Sequence, residues 1–148
     1  MKKPTITICS SADFYKTAVE IQDQLSDRFE IIVPKTATLM RASGDYDISH
    51  YKTWFADPSD YHKKAALMRA HFREVVKADA ILVINETKHG RPGYIGGNVL
   101  MEMALAFWSN LPIYVLNQAD PASPYIEEIA GMGSIILDGD LSRLATDL

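Results

Sequence analysis

The chain has 148 residues, 47% of them hydrophobic and 23% charged, with a net charge of -4; this is the size and balance of one packed domain and excludes a disordered chain. A single cysteine, Cys9, excludes a disulfide framework and a cysteine-built zinc site, and the acidic balance speaks against a nucleic-acid polymer as partner. No apolar run approaches the roughly 20 residues that span a bilayer, and Met1-Lys-Lys-Pro4 lacks the apolar stretch of a signal peptide, so the expectation is one soluble cytoplasmic domain over residues 1–148.

Thr5–Cys9 reads as a short first strand, ended by Ser10 and Ser11. Phe14, Ala18, Ile21 and Leu25 then recur at helical spacing. Phe29–Val33 is a second strand closed by Pro34, and Lys35–Asp60 shows no sustained period. Helical patterning returns over 61–77, with Ala65, Met68, Phe72, Val75 and Val76 as its apolar stripe. Ala80–Asn85 is the strongest strand, apolar on both faces as a central parallel strand should be. Beyond it lies a loop holding Gly90, Gly93, Gly96 and Gly97, four of the eight glycines. A helix over 99–109, a strand at Ile113–Leu116, a short helix over 124–130, a strand near 134–137 and a final helix from Leu141 complete the chain. This alternation predicts an α/β fold with an open sheet covered on both faces. Ligands of such sheets bind beyond the carboxyl ends of the strands.

Familiar motifs fail on spacing. Gly93-Tyr-Ile-Gly96-Gly97 is not a dinucleotide fingerprint, and no phosphate loop ending in Lys-Ser/Thr occurs. A cysteine phosphatase built on Cys9 would need an arginine at position 15, which is Tyr15. The four histidines lack the helical pairing of a zinc hydrolase, and a receiver domain would carry acids where Ser10 and Ser11 stand.

Glu102 is the one charged residue between Val99 and Trp108. Asn98 is placed as the cap of that helix, and a capping-box acid would fall at 101, so Glu102 is one residue too late. Its helical neighbours Asn98, Val99, Leu105, Ala106 and Ser109 form no solvated charged stripe. Two readings stand: a boundary glutamate favoured by the helix N-terminus, or a partnered, working carboxylate. Gly96 and Gly97 allow close approach of backbone to an anion, or are simply a turn.

The run Asp79–Asn85, the loop Gly93–Asn98 and the helix segment Glu102-Met-Ala-Leu-Ala106, with Thr5–Ser11 before them, resemble the nucleoside 2-deoxyribosyltransferase superfamily. That superfamily includes deoxyribonucleoside 5′-monophosphate N-glycosidases. The resemblance implies a flavodoxin-like three-layer fold on a mostly parallel five-stranded sheet. It implies Glu102 as the nucleophile that attacks the anomeric carbon of an N-glycoside, with no cofactor and no metal. His71 stands where the family often has an aspartate, and becomes a candidate acid or sugar contact. Ser10, Ser11, Asn85, Tyr94, Gly96, Gly97 and Asn98 become candidate substrate contacts. Gly96 replaces an acid that often binds the base, which together with Lys88, His89 and Arg91 tips the expectation from base exchange towards hydrolysis of a nucleoside monophosphate. The implied partners are a small nucleoside or nucleotide and other copies of the chain, as a homodimer or larger, and no membrane.

The alternative on the same fold is a non-catalytic module that senses a nucleotide-derived ligand. Tyr46, Tyr51, Trp54 and Phe55 in the long connection would stack on a base, close over the core, or dock a partner.

Overall fold

A computed structural model describes residues 2–148. The strands are β1 (Thr5–Ser10), β2 (Glu30–Ile32), β3 (Ala80–Ile84), β4 (Ile113–Val115) and β5 (Ile135–Ile136). All pair in parallel, in the order β2-β1-β3-β4-β5, the strand order of a flavodoxin-like sheet. The helices are α1 (Tyr15–Leu25), α2 (Lys35–Ser43), α3 (Tyr61–Lys77), α4 (Gly97–Trp108) and α5 (Ile126–Gly131).

Alternation along β1 and β3 builds a core on each sheet face. Ile6, Ile8, Leu82 and Ile84 pack with Ala18, Ile21 and Leu25 of α1 and with Leu137 and Leu144 near the C-terminus. Cys9, Ile81 and Val83 pack on the other face with Val75 of α3, Val99, Met103 and Ala106 of α4, and Ile129 of α5. The three layers follow from right-handed crossovers: β1 to β2 steps one way across the sheet, and every later step goes the other way. Burying each of the Ile, Leu, Val and Met side chains among them contributes about 1.5–3 kcal/mol. Among the described residues no helix is long and apolar enough to cross a membrane.

Several local expectations need correction. Lys35–Asp60 is not without period: it holds α2 and three short 3-10 turns, at 48–50, 53–55 and 58–60. Only Ala37 and Met40 of α2 are buried, too few to register as periodicity. The final helix shrinks to a 3-10 turn, Leu141–Arg143. Helix α4 starts at Gly97 with Gly96 as its cap, so Asn98 lies inside the first turn and does not cap it. The apolar stripe expected on α3 is met only in part, with Val75 its one fully buried member. Only His71 and Val75 of that helix are buried, while Val76 is 48% exposed.

The pairing of β1 with β3 sets Ser10 beside Ile84 at the carboxyl ends. The loops leaving these two strands diverge there, one into α1 and the other into the glycine loop, and a cleft opens between them. Asp79 works at the opposite end, where it accepts from Thr5 N–H at 2.8 Å and donates its own N–H to the Thr5 carbonyl at 2.8 Å. It fastens the start of β3 to β1 and stands apart from the cleft.

Candidate functional site

Glu102 forms the floor of the cleft. Its position on α4 turns it inward beside Val99, Met103 and Ala106, and it is 2% exposed. Cys9 from β1 and His71 from α3 are 0% and 8% exposed, and one ligand-type atom of each lies within 4.8 Å of those of the other two. Burial drives the Glu102 carboxyl up to about 8, against a smaller downward pull from Lys64 and the Cys9 thiol. Burial, with Glu102 nearby, also raises the Cys9 thiol and the Tyr15 phenol, so both keep their protons. Burial lowers His71 and keeps it neutral.

His71 Nε2 lies 2.9 Å from the Ile8 carbonyl. A carbonyl only accepts, so this nitrogen carries the proton and gives it to β1. The same atom is 3.7 Å from Glu102 Oε2, too far for a hydrogen bond. His71 therefore clamps α3 to β1 beside the carboxylate, assisted by Thr7 Oγ1, which donates to the Glu74 carbonyl at 2.9 Å. Cys9, His71 and Glu102 make a sulfur, nitrogen and oxygen set of the kind zinc takes. Spacing along the sequence gave no sign of it, because its members come from β1, α3 and α4. With its proton directed at Ile8, the near nitrogen of His71 is not presented as a metal ligand.

The cleft has two connected lobes. The carboxylate lobe is walled by Tyr15, Met40, Tyr51, Trp54, His71 and Glu102. The second lobe is lined by Ser10, Ser11, Lys52, Lys64, Lys88, Tyr94 and Gly96–Val99; Ser10, Tyr15, Lys52, Lys64 and Asn98 border both. Lys64 is the hinge of the two. It lies two helical turns before His71 on α3, reaches Asn98 Oδ1 at 3.5 Å and sits 5.9 Å from the centre of the Trp54 ring. Burial, then repulsion from Lys64 and Lys88, lowers the Lys52 ammonium. No side chain caps α4, so the first-turn N–H groups at 97–99 remain available on the same lobe.

The basic residues of the glycine loop part company. Lys88 pairs with Asp13 at 2.6 Å and donates to Ser11 Oγ at 2.8 Å, on the rim of the lysine lobe. Arg91 pairs with Asp120 at 2.7 Å, and His89 lies edge-on to Tyr94. Lys52 and Lys64, absent from the residues expected at the site, take the places foreseen for His89 and Arg91. The spacing of Lys64 and His71, seven residues apart on one helix, was the signal available for the first. Nothing local marks Lys52.

Ser10, Ser11, Tyr94, Gly96, Gly97 and Asn98 all line the lysine lobe, and Ser10 and Asn98 also border the carboxylate lobe. Asn85 is elsewhere. It is fully buried, donates to the Asn117 carbonyl at 2.8 Å, and accepts from Asn117 N–H at 2.9 Å. It brackets the ends of β3 and β4 and lines neither lobe. Asn85→Ala should therefore cost about 1–3 kcal/mol, read as a lower urea midpoint, and leave ligand affinity unchanged. The aromatic segment also divides. Trp54 is buried in the cleft wall and Tyr51 is half-buried there, Tyr46 packs on the core, and Phe55 is 73% exposed.

No family model matches the chain, and no curated protein matches it. Among solved structures it is similar to FerB, a flavoenzyme NAD(P)H:(acceptor) oxidoreductase from Paracoccus denitrificans. The two share 15% identity over 90% of this chain and 74% of that one, with a TM-score of 0.46. A likeness of that degree says nothing of activity.

Proposed function

We propose that the chain breaks, or transfers across, the N-glycosidic bond of a nucleoside 5′-monophosphate or the related nucleoside, with Glu102 as nucleophile. The carrying observation is a carboxylate, almost fully buried, on the floor of a cleft whose adjoining lobe bears three lysines. Stacking of the base on Trp54 and Tyr51 and capture of the phosphate by Lys52, Lys88 and the α4 N-terminus would set the sugar over Glu102. The ionised carboxylate attacks the anomeric carbon, and the C–N electron pair leaves with the base, which takes up a proton. Water then hydrolyses the glycosyl ester and restores Glu102; a second base in place of water gives transfer. The Lys64 charge, next to the carboxylate, favours its ionised form.

Incubation with a panel of nucleosides and 5′-monophosphates should release free base, faster from the monophosphates. Lys52→Met and Lys88→Met should each raise KM for monophosphates by about 10-fold or more, the worth of a lost charge-assisted contact, and leave nucleosides unaffected. No base from any member of the panel, with ligand still protecting the fold, would replace this reading with the non-catalytic binding module.

A further inference from the structure

The carboxylate lobe holds a second acid that the bond-breaking step does not use. Lys64, Leu67, His71 and Glu74 fall at i, i+3, i+7 and i+10 on α3, and all four line that lobe. From Lys64, where the two lobes join, α3 rises about 15 Å by the time it reaches Glu74. Glu74 does not line the lysine lobe, so it stands at the end of the cleft away from the lysines. It is half-buried. Among the described residues its carboxylate takes part in no ion pair, and only its main-chain carbonyl is engaged, by Thr7. Burial lowers His71, and the Ile8 bond and then the Glu74 charge oppose that lowering, so the acid is felt at the cleft wall.

Helix α2 brings complementary groups to the same end. Lys35 and Thr36 of its first turn line the carboxylate lobe and not the lysine lobe. Lys35 belongs to no ion pair among the described residues. A carboxylate only accepts hydrogen bonds and an ammonium only donates them. Met40, Trp54, Leu67 and Met68 supply apolar wall to the lobe, the surroundings of a flat ring whose few polar groups fix its orientation. Two carboxylate oxygens are filled by two neighbouring N–H donors, and the donors of α2 by an adjacent oxygen. Guanine carries that order along one edge: the 2-amino group, N1–H and then O6. Adenine and cytosine set one amino group beside a ring nitrogen that accepts, and uracil and thymine have one N–H between two carbonyls. Each of these leaves a carboxylate oxygen without its donor.

We propose that Glu74, with Lys35 and Thr36, reads the base edge and selects guanine, so that guanine nucleotides are the ligand class of the cleft. This rests on the placement of a nucleotide in the cleft proposed above, and not on its turnover.

Calorimetric titration with the 5′-monophosphates of guanosine, inosine, adenosine and cytidine, and with their 2′-deoxy forms, tests it. Inosine lacks only the 2-amino group of guanosine, and its nucleotide should bind about 10-fold more weakly or worse, the worth of one hydrogen bond to a charged acceptor. In Glu74→Gln the amide turns its own N–H groups towards a guanine donor. That variant should bind the guanosine nucleotide no better than the inosine one, with ribose 5-phosphate binding and the urea midpoint unchanged. Equal affinities for the guanosine and inosine nucleotides in the wild type overturn the proposal, as does tighter binding of a cytidine nucleotide. A guanosine preference that survives Glu74→Gln overturns it too, and so does failure of every nucleotide to bind. A guanosine preference lost in Glu74→Gln, but with no free base released from any nucleotide, upholds the base assignment and removes the N-glycosidic reading.

Discussion

Glu102→Gln is expected to lower base release by about 10³-fold or more and, at the same time, to make the folded protein more stable at alkaline pH. The first effect follows from removing the nucleophile, whose loss binding interactions do not replace. The second follows from where the carboxyl sits. In the unfolded chain Glu102 ionises near 4.5, and in the folded chain near 8. Between those values the folded state holds one proton more than the unfolded state, so stability falls as pH rises, by about 1.4 kcal/mol per unit. The stability tied to this proton is fully present below pH 4.5 and is lost by the time the pH has passed 8. Integrated over that window the loss is on the order of 5 kcal/mol. Glutamine keeps the shape and has no proton to lose. Urea titrations of wild type and Glu102→Gln should therefore lie close at pH 5, diverge up to about pH 8 and keep a constant gap beyond it, the variant being the more stable. Parallel curves would mean that the wild-type carboxylate is already ionised in the folded protein at neutral pH. Catalysis should show the reverse trend. With a carboxyl at about 8, only about a tenth of the molecules hold the ionised form at pH 7, so kcat/KM should rise nearly tenfold per pH unit below 7, by about fivefold from 7 to 8, and level off above.

Gly93→Ala should be the most destabilising single-methyl change in the glycine loop. Gly93 has φ +71°, and a Cβ there would stand 2.1 Å from the Gln118 carbonyl oxygen and 2.9 Å from the Asp120 nitrogen. Both neighbours are backbone, so no side chain can swing aside. The left-handed conformation costs about 1–2 kcal/mol for an L residue, and the overlap adds about 1–3 kcal/mol. The bond from Asp120 N–H to the Gly93 carbonyl, 3.2 Å long, would be disturbed as well. For a chain of this length the melting temperature should drop by roughly 10 °C. Gly97→Ala is the matched control: a methyl there would meet nothing within 4 Å, and stability should hold within about 0.5 kcal/mol. Equal losses at the two positions would contradict the close approach at Gly93.

Glu102 was legible because its surroundings are local: a lone acid among apolar residues of one helix advertises its own burial. β3 was legible for a similar reason, an unbroken apolar run that only a doubly covered strand uses. The glycine cluster drew attention to the correct loop, and Gly96 and Gly97 line the cleft; Gly93, the member pressed against the Gln118–Asp120 backbone, drew none. Residues that act through distant partners were hidden. Asn85 reads as a free amide until Asn117 arrives from the end of β4. Lys88 and Arg91 read as one basic patch until Asp13 and Asp120 draw them apart. Lys52 and Lys64 join the site only through the packing of the long connection and α3 over the sheet.

The central place of β1 has a consequence for how the chain is made. β1 pairs with β2 on one side and with β3 on the other, yet β3 follows β2 by roughly fifty residues. At synthesis rates of about 5–20 residues per second, one edge of an apolar strand waits several seconds for its neighbour. During that interval Ile6, Ile8 and Cys9, fully buried in the finished fold, lack half of their cover. Aggregation on the ribosome, and dependence on chaperones, should accordingly be governed by substitutions in the first strand more than by those in β4 or β5, each of which finds a neighbour already in place when it emerges.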